Sequence, residues 1–215
     1  MWFVTKMIGS EIGAHRYFSH KSFKTTKFKE KLLLIIHMFS GDGSTLSFAN
    51  IHRQHHAKCE TVEDPHSPKY MDWFEITYWL SQTKINPKYI RGLLKDPWIK
   101  FTHRHYFKFN YSLFLLFVLL GEVDVYGYVF AFPIIFSQYF NSIINYGCHK
   151  RKNGYRNFNT KDDSVNCTVL MWVMYGSGLH NNHHAKPKSH RLNVKEDEFD
   201  FLGTLIEKFF MIKEK

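Results

Sequence analysis

Eight of the chain's 14 histidines stand in three short clusters: His15-Arg-Tyr-Phe-Ser-His20, His52-Arg-Gln-His55-His56 and His180-Asn-Asn-His183-His184. Residues three and four apart share a helix face, so the second and third clusters each turn imidazoles to one side. Imidazole suits iron, zinc, copper and nickel, and so many of them exceed what a four-coordinate structural zinc would use. Two metal ions are therefore expected, brought to one site by a fold that gathers the clusters. One His-x-x-His-His could equally be an exposed helix face. Three boxes, each beside a long apolar segment, are not where solvated histidines need to be.

The elements that must position them follow from charge and hydropathy. The chain carries 29 Lys and Arg, yet none lies between Phe109 and His149. Within that gap Leu113–Leu120 is apolar, Gly121-Glu-Val-Asp124 is a polar break, and Tyr126–Ile144 is apolar again. The pattern predicts a membrane hairpin over about 105–149. A span needs roughly 20 residues; the second helix has them, and the first reaches that length by including the aromatic stretch from Phe101 or His105. Basic residues crowd both flanks, Lys84 to Lys108 before and Lys150 to Arg156 after, while the connecting loop has only Glu122 and Asp124. The positive-inside rule then puts both ends in the cytoplasm, with the second and third boxes on one face of the bilayer. A hairpin buried in a soluble protein is the alternative, and 215 residues offer little with which to surround it.

Aromatic residues make up 18% of the chain, while mean hydropathy is −0.33, which implies a sizeable cytoplasmic portion. The pI near 9.4 is no argument for nucleic acid, because the basic residues are dispersed around the boxes and hairpin flanks. An anionic membrane surface accounts for them. Cys59, Cys148 and Cys167 form no C-x-x-C pair, which speaks for a reducing compartment and against a disulfide scaffold or thiolate cluster. One domain, residues 1–215, is expected. Lys27–Phe39 predicts a short helix broken by Gly41-Asp-Gly43, a second helix carries Phe48–His56, and Glu63-Asp-Pro65-His66 is a turn. Asp72–Leu80 is aromatic-rich, with Trp73 and Trp79 packed against the bilayer or in an ordinary core.

Gly13-Ala-His15-Arg-x-x-Ser-His20, Asn50-Ile-His52-Arg-Gln-His55-His56, Asp64-Pro65-His66, Asn145-x-x-x-His149 and Gly178-Leu-His180-Asn-Asn-His183-His184 together resemble the membrane fatty acyl desaturases, most of all the stearoyl-CoA Δ9 type and its bacterial relatives. The resemblance runs from about Ile12 to Phe210. It implies an all-α integral membrane bundle with a cytoplasmic, histidine-rich di-iron cap. It also implies that His15, His20, His52, His55, His56, His149, His180, His183 and His184 bind two iron ions, with Asn145 acting through water. Asn145 and His149, four apart at the cytoplasmic end of the second hairpin helix, would share a face. An amide or ionisable group at membrane depth is a functional hypothesis in its own right. His66 and Asp64 would support the ligands. His37, His103, His105 and His190 lack such partners. Glu63-x-x-His66 is interrupted by Pro65, which argues against a ferritin-like di-iron site, and no His-Glu-x-x-His is present.

The implied reaction is oxygen-dependent introduction of a cis double bond, at Δ9, into a saturated acyl chain, with O2 as co-substrate. Acid–base side chains cannot remove hydrogen from an unactivated methylene; an iron pair with dioxygen and two electrons can, and the protein's part is orientation and a dry cavity. Ferredoxin or cytochrome b5 would supply the electrons. Acyl-CoA, acyl-lipid and acyl-carrier-protein substrates all remain open, because Ser47-Phe48-Ala49-Asn50-Ile51 replaces the family's Glu-Trp-Ala-Arg-Asp, and Gly176-Ser177-Gly178 replaces Gly-Glu-Gly and removes a carboxylate beside the metals. A lipid hydroxylase or ketolase built on the same boxes is the alternative enzyme, and a non-catalytic remnant the alternative of another class. Only Met1–Ala14 precedes the first box, interrupted by Lys6, Ser10 and Glu11, where the family carries a whole membrane hairpin. A shortened form lacking that hairpin, weakly active or inactive alone, is expected.

Overall fold

Several helix starts are written into the sequence as side-chain caps. Thr26 accepts a hydrogen bond from the Lys29 amide, Ser44 from that of Ser47, and Asp96 from those of Trp98 and Ile99, with Pro97 in the first turn. The computed structural model describes residues 1–79 and 83–212. Among them the chain is helical, with only isolated bridges, Tyr155–Asn166 and Asn166–Leu179, in place of a sheet. The all-α expectation holds.

Helix α1, Phe3–Ser19, is wound with the wider i→i+5 hydrogen bonds and lies against α2, Lys27–His37. The approach is close because Gly9 has no side chain: a Cβ there would stand 3.0 Å from the His37 backbone. Helix α3, Thr45–Lys58, packs on the other side of α1. Between α2 and α3 the Gly41-Asp42-Gly43 turn requires glycine at both ends, with φ +79° at each. Helix α4, Trp73–Trp79, lies beside the hairpin, where half-buried Trp73 meets Tyr139 edge-on at 5.3 Å. The side chain of Trp79 and residue Leu80 lie outside the described part.

The hairpin consists of α5, Pro97–Leu119, and α6, Val123–Gly147. It starts earlier than sequence reading placed it, because the cap at Asp96-Pro97 precedes the hydrophobic run. Aromatic contacts zip its closed end, Phe117 meeting Tyr126 at 5.7 Å and Phe130 at 5.8 Å. Helix α6 widens at Gly127–Ala131, just before Pro133, and again at Ile143–Gly147. A widened turn relieves the clash a proline ring makes in a regular helix. Among the described residues α6 is the one helix long and apolar enough to cross a membrane, and only 28% of its apolar window is buried.

After the hairpin come α7, Thr168–Val173, α8, His180–Ala185, and α9, Phe201–Leu205, the last continued by a wider turn over Ile206–Phe210. Met7, Ile12, Phe18, Leu33, Leu46, Ile144, Met174, Leu202 and Ile206 form a core that binds these elements to α1. The histidine-bearing segments meet at the base of the hairpin.

Candidate metal centre

Four short stretches deliver the nine histidines. The end of α1 carries His15 and His20, α3 carries His52, His55 and His56, the turn just past α6 carries His149, and α8 carries His180, His183 and His184. Their imidazoles converge in two groups. In the first, Nε2 of His183 lies 3.0 Å from Nε2 of His15 and 2.8 Å from that of His56, while His52 Nε2 is 2.6 Å from that of His20 and 3.1 Å from that of His56. In the second, His180 Nε2 stands 2.9 Å from His149 Nε2 and 3.1 Å from His184 Nε2, and His55 Nε2 is 3.3 Å from His184 Nε2. His56 and His184 stack at 4.5 Å where the groups meet.

Such spacing is what shared ions require. Two nitrogens each about 2.1 Å from one ion, at roughly right angles, lie about 3 Å apart. Ligand atoms of His15, His20, His52 and His183, and separately of His55, His149, His180 and His184, fall within 4.8 Å of one another. Each group could hold a metal ion.

Carboxylates decide how the rings face. Nδ1 of His15 donates to Glu11 at 3.1 Å, of His55 to Asp64 at 2.9 Å, of His149 to Glu60 at 3.3 Å, and of His184 to Asp162 at 3.1 Å. An ionised carboxylate only accepts, so each places the ring proton on Nδ1 and leaves a lone pair on Nε2. His55 and His184 thus turn two lone pairs toward each other at 3.3 Å. Protonation does not relieve this at neutral pH: burial holds His55 well below the usual imidazole range, and it lowers His184 to about 4 against the opposing pull of Asp162. A cation between the rings does relieve it. The same burial, reinforced by neighbouring imidazoles, depresses His20, His52, His56, His180 and His183, which suits them all to bind as neutral ligands. Asp64, pushed up to about 6 by burial against two backbone amides, is still ionised at pH 7.

The rest of the boxes is scaffolding. Arg53 ties α3 to the end of α1 through the carbonyls of Phe18 and Ser19, at 2.8 and 2.7 Å, and reaches that of Tyr89. Arg16 forms a buried fork with Asp200, at 3.0 and 3.1 Å. The Asn pair of the third box anchors a helix too short to stand alone. Asn181 accepts from the amides of Asn157 and Phe158, and Asn182 accepts from Asn166 and donates to Glu198 and the Leu192 carbonyl. Asn50, in the segment that departs from the family pattern, holds the Lys84 carbonyl and the Asn86 amide.

Among the residues singled out from sequence, His66 is buried with its ring 4.0 Å from that of His55, and its backbone amide, like that of Glu60, donates to Asp64. Asn145 sits half-buried on the last turn of α6, whereas His149 lies beyond the helix end, so the two do not share a regular helical face. His37 is buried and pairs with Thr45; His103 pairs with Ser44 and His190 with Glu207. Three supporting carboxylates were not read from sequence. Glu11 was legible, standing four residues before His15 on one helix. Glu60 and Asp162 reach their histidines across the fold, and no spacing announces them. Glu60 also takes a left-handed backbone, φ 59°, held by Lys69 and the Asp163 amide. Cys59 stands 3.9 Å from Nε2 of His55, its thiol kept protonated by burial and by Asp162, Asp64 and Glu60.

The fatty acid desaturase family model matches residues 3–196. Similar proteins include the sn-1 stearoyl-lipid 9-desaturase of Anabaena variabilis, 28% identical over 96% of this chain and 77% of its own length. The chloroplastic palmitoyl-monogalactosyldiacylglycerol delta-7 desaturase of Arabidopsis thaliana is 28% identical over 96% of this chain and 57% of its own. The acyl-CoA C20 Delta5-desaturase of Anemone leveillei is 29% identical over 96% and 68%. The chain belongs to the fatty acid desaturase family. By class it is an acyl desaturase, an oxidoreductase whose histidine clusters could bind metal.

Proposed function

We propose that the chain introduces a cis double bond, at Δ9, into a saturated acyl chain carried on a lipid, coenzyme A or acyl-carrier protein. Two iron ions serve it, one held by His15, His20, His52, His56 and His183, the other by His55, His149, His180 and His184, with Asn145 acting through water. The observation that carries this reading is the convergence of nine imidazoles in two groups, four of them, His15, His55, His149 and His184, with Nδ1 bonded to a carboxylate and Nε2 turned inward. Iron bound there supplies, with dioxygen, the oxidising power to take two hydrogens from adjacent methylenes. Two electrons and two protons complete the balance, dioxygen leaving as two waters. The chain's own residues hold the ligands neutral and aimed, and bury them from bulk water. The electron donor is a separate ferredoxin or cytochrome b5.

The hairpin is read as membrane-embedded with the histidine end cytoplasmic. Phe107, Tyr111, Leu116, Leu119, Tyr128 and Ile135 are all at least half exposed, a surface suited to lipid. Helix α6, 25 residues long, measures about 37 Å at 1.5 Å per residue, enough for a core of roughly 30 Å. A cysteine at position 123 should be labelled by a membrane-impermeant reagent from outside, and cysteines at 58 and 186 should not; labelling at 186 would refute the sidedness. The activity is tested by fatty-acid profiling of a desaturase-deficient host expressing the chain, alongside its iron content. A new cis-unsaturated product and two irons per chain are expected. A single tightly held zinc with no new product would sink the reading, and a hydroxylated product would move it to a lipid hydroxylase.

A further inference from the structure

Three charged side chains that belong to no histidine box are buried against the first cluster. Lys6 on α1 is fully buried, and its ammonium lies 3.4 Å from Glu11 Oε1 and 3.3 Å from Asp42 Oδ2, with Asn141 Oδ1 as a further partner. Asp42, projected inward by its two flanking glycines, also accepts from Ser10, from Asn141 at 2.9 Å and from Gln138 at 3.2 Å. On the far side Glu11 Oε2 accepts from His15 Nδ1 at 3.1 Å and from the Ser177 hydroxyl at 2.9 Å. A continuous polar chain therefore runs from α6 through Asp42, Lys6 and Glu11 to His15.

A buried carboxylate is retained only where its lost hydration is replaced, and here one ammonium stands between two carboxylates. Glu11 has both oxygens engaged, one on the ammonium and one on the ring and hydroxyl, so its position is set from three directions. We infer that Glu11 is the positioning residue for His15, held by the Lys6–Asp42 pair, and that it supplies from α1 the carboxylate that position 177 lacks. Ser177 is the residue that meets Glu11 from the other wall. A glutamate at 177, longer by two heavy-atom links, would reach the same place beside Nδ1 of His15, which makes the two positions exchangeable.

This inference rests on the two-ion reading and is tested by titrating the intact detergent-solubilised chain with cobalt(II), whose visible absorption reports coordination number. The wild type should take up two ions. Glu11→Ser should keep one at unchanged affinity and weaken the other about 10- to 100-fold, the usual effect of losing a carboxylate behind a ligating histidine. The exchange variant, Glu11→Ser with Ser177→Glu, should regain the lost affinity and the wild-type spectrum. Glu11→Gln, close to isosteric, covers the case in which Glu11→Ser does not fold, and its spectrum should change at one ion only. Two ions at wild-type affinity and an unchanged spectrum in the Glu11 variants would overturn the inference alone. So would failure of the exchange variant, folded by circular dichroism, to regain affinity. A wild-type chain that takes up no cobalt would overturn the two-ion reading and this inference with it.

Discussion

The two ends of this molecule bury opposite things. At the base, imidazoles, carboxylates and an ammonium lie in the interior: His55, His183 and Lys6 are at most 1% exposed, and the hydrogen-bonded carboxylates behind the rings fix their tautomers. At the hairpin tip the arrangement is inverted, with Leu119 76% and Tyr128 80% exposed and the contacts mostly ring on ring. Burial of polar groups is tolerated at the base because nearly every one has a partner, and the exposed apolar groups at the tip form the surface that the proposed membrane placement accounts for. The histidines lie at the polar-cored base, beyond the apolar surface that the proposed membrane placement would cover.

Substitutions should separate the ends. The largest effect is expected from ligands: His55→Ala, His183→Ala or His149→Ala should abolish turnover with expression largely retained, and near-wild-type product formation by His149→Ala would remove it from the ligand set. Next, Lys6→Met strands Glu11 and Asp42 without their shared ammonium, and should cost about 3–5 kcal/mol in denaturation experiments. A loss below about 1 kcal/mol would mean that the base tolerates unpaired buried charge and would erase the contrast.

A pH experiment sharpens it further. His37, buried beneath α1 and bonded to Thr45, is lowered by burial to about 4. Between pH 6.5 and 4 the unfolded chain binds a proton there that the folded chain refuses, so stability falls as pH drops through that window and levels off below it. The contribution approaches about 3 kcal/mol by pH 4. It should appear as a pH-dependent difference between wild type and His37→Gln across that range, the wild type losing stability that the variant keeps; parallel curves would show that the ring protonates in the fold. Smaller still, Asp162→Asn should weaken one ion about 10- to 100-fold while leaving the other in place, read by metal titration. At the tip, Leu119→Gln should change stability in detergent by no more than about 0.5 kcal/mol, and a larger loss would show that this side chain packs within the protein.

The residues themselves made the helical class of the fold and the three histidine clusters legible, while His149 entered through the family resemblance. Spacings of three and four within a helix and a gap in Lys and Arg are local signals, and they made the boxes, the hairpin and the helical architecture legible without coordinates. The equally local Asp96-Pro97 cap went unread, and the hairpin start was placed too late. Glu11 belonged to that legible set through its spacing from His15, although it was read only as an interruption of an apolar stretch. Tertiary structure alone decided which histidines share a cluster, because His183 reaches His15 and His56 while its chain neighbour His184 turns to His55 and His180. It alone brought Glu60 and Asp162 behind His149 and His184, contacts spanning 89 and 22 residues. Local periodicity fixes which face of a helix a side chain occupies. What that face meets depends on where the chain returns, and that is set by packing.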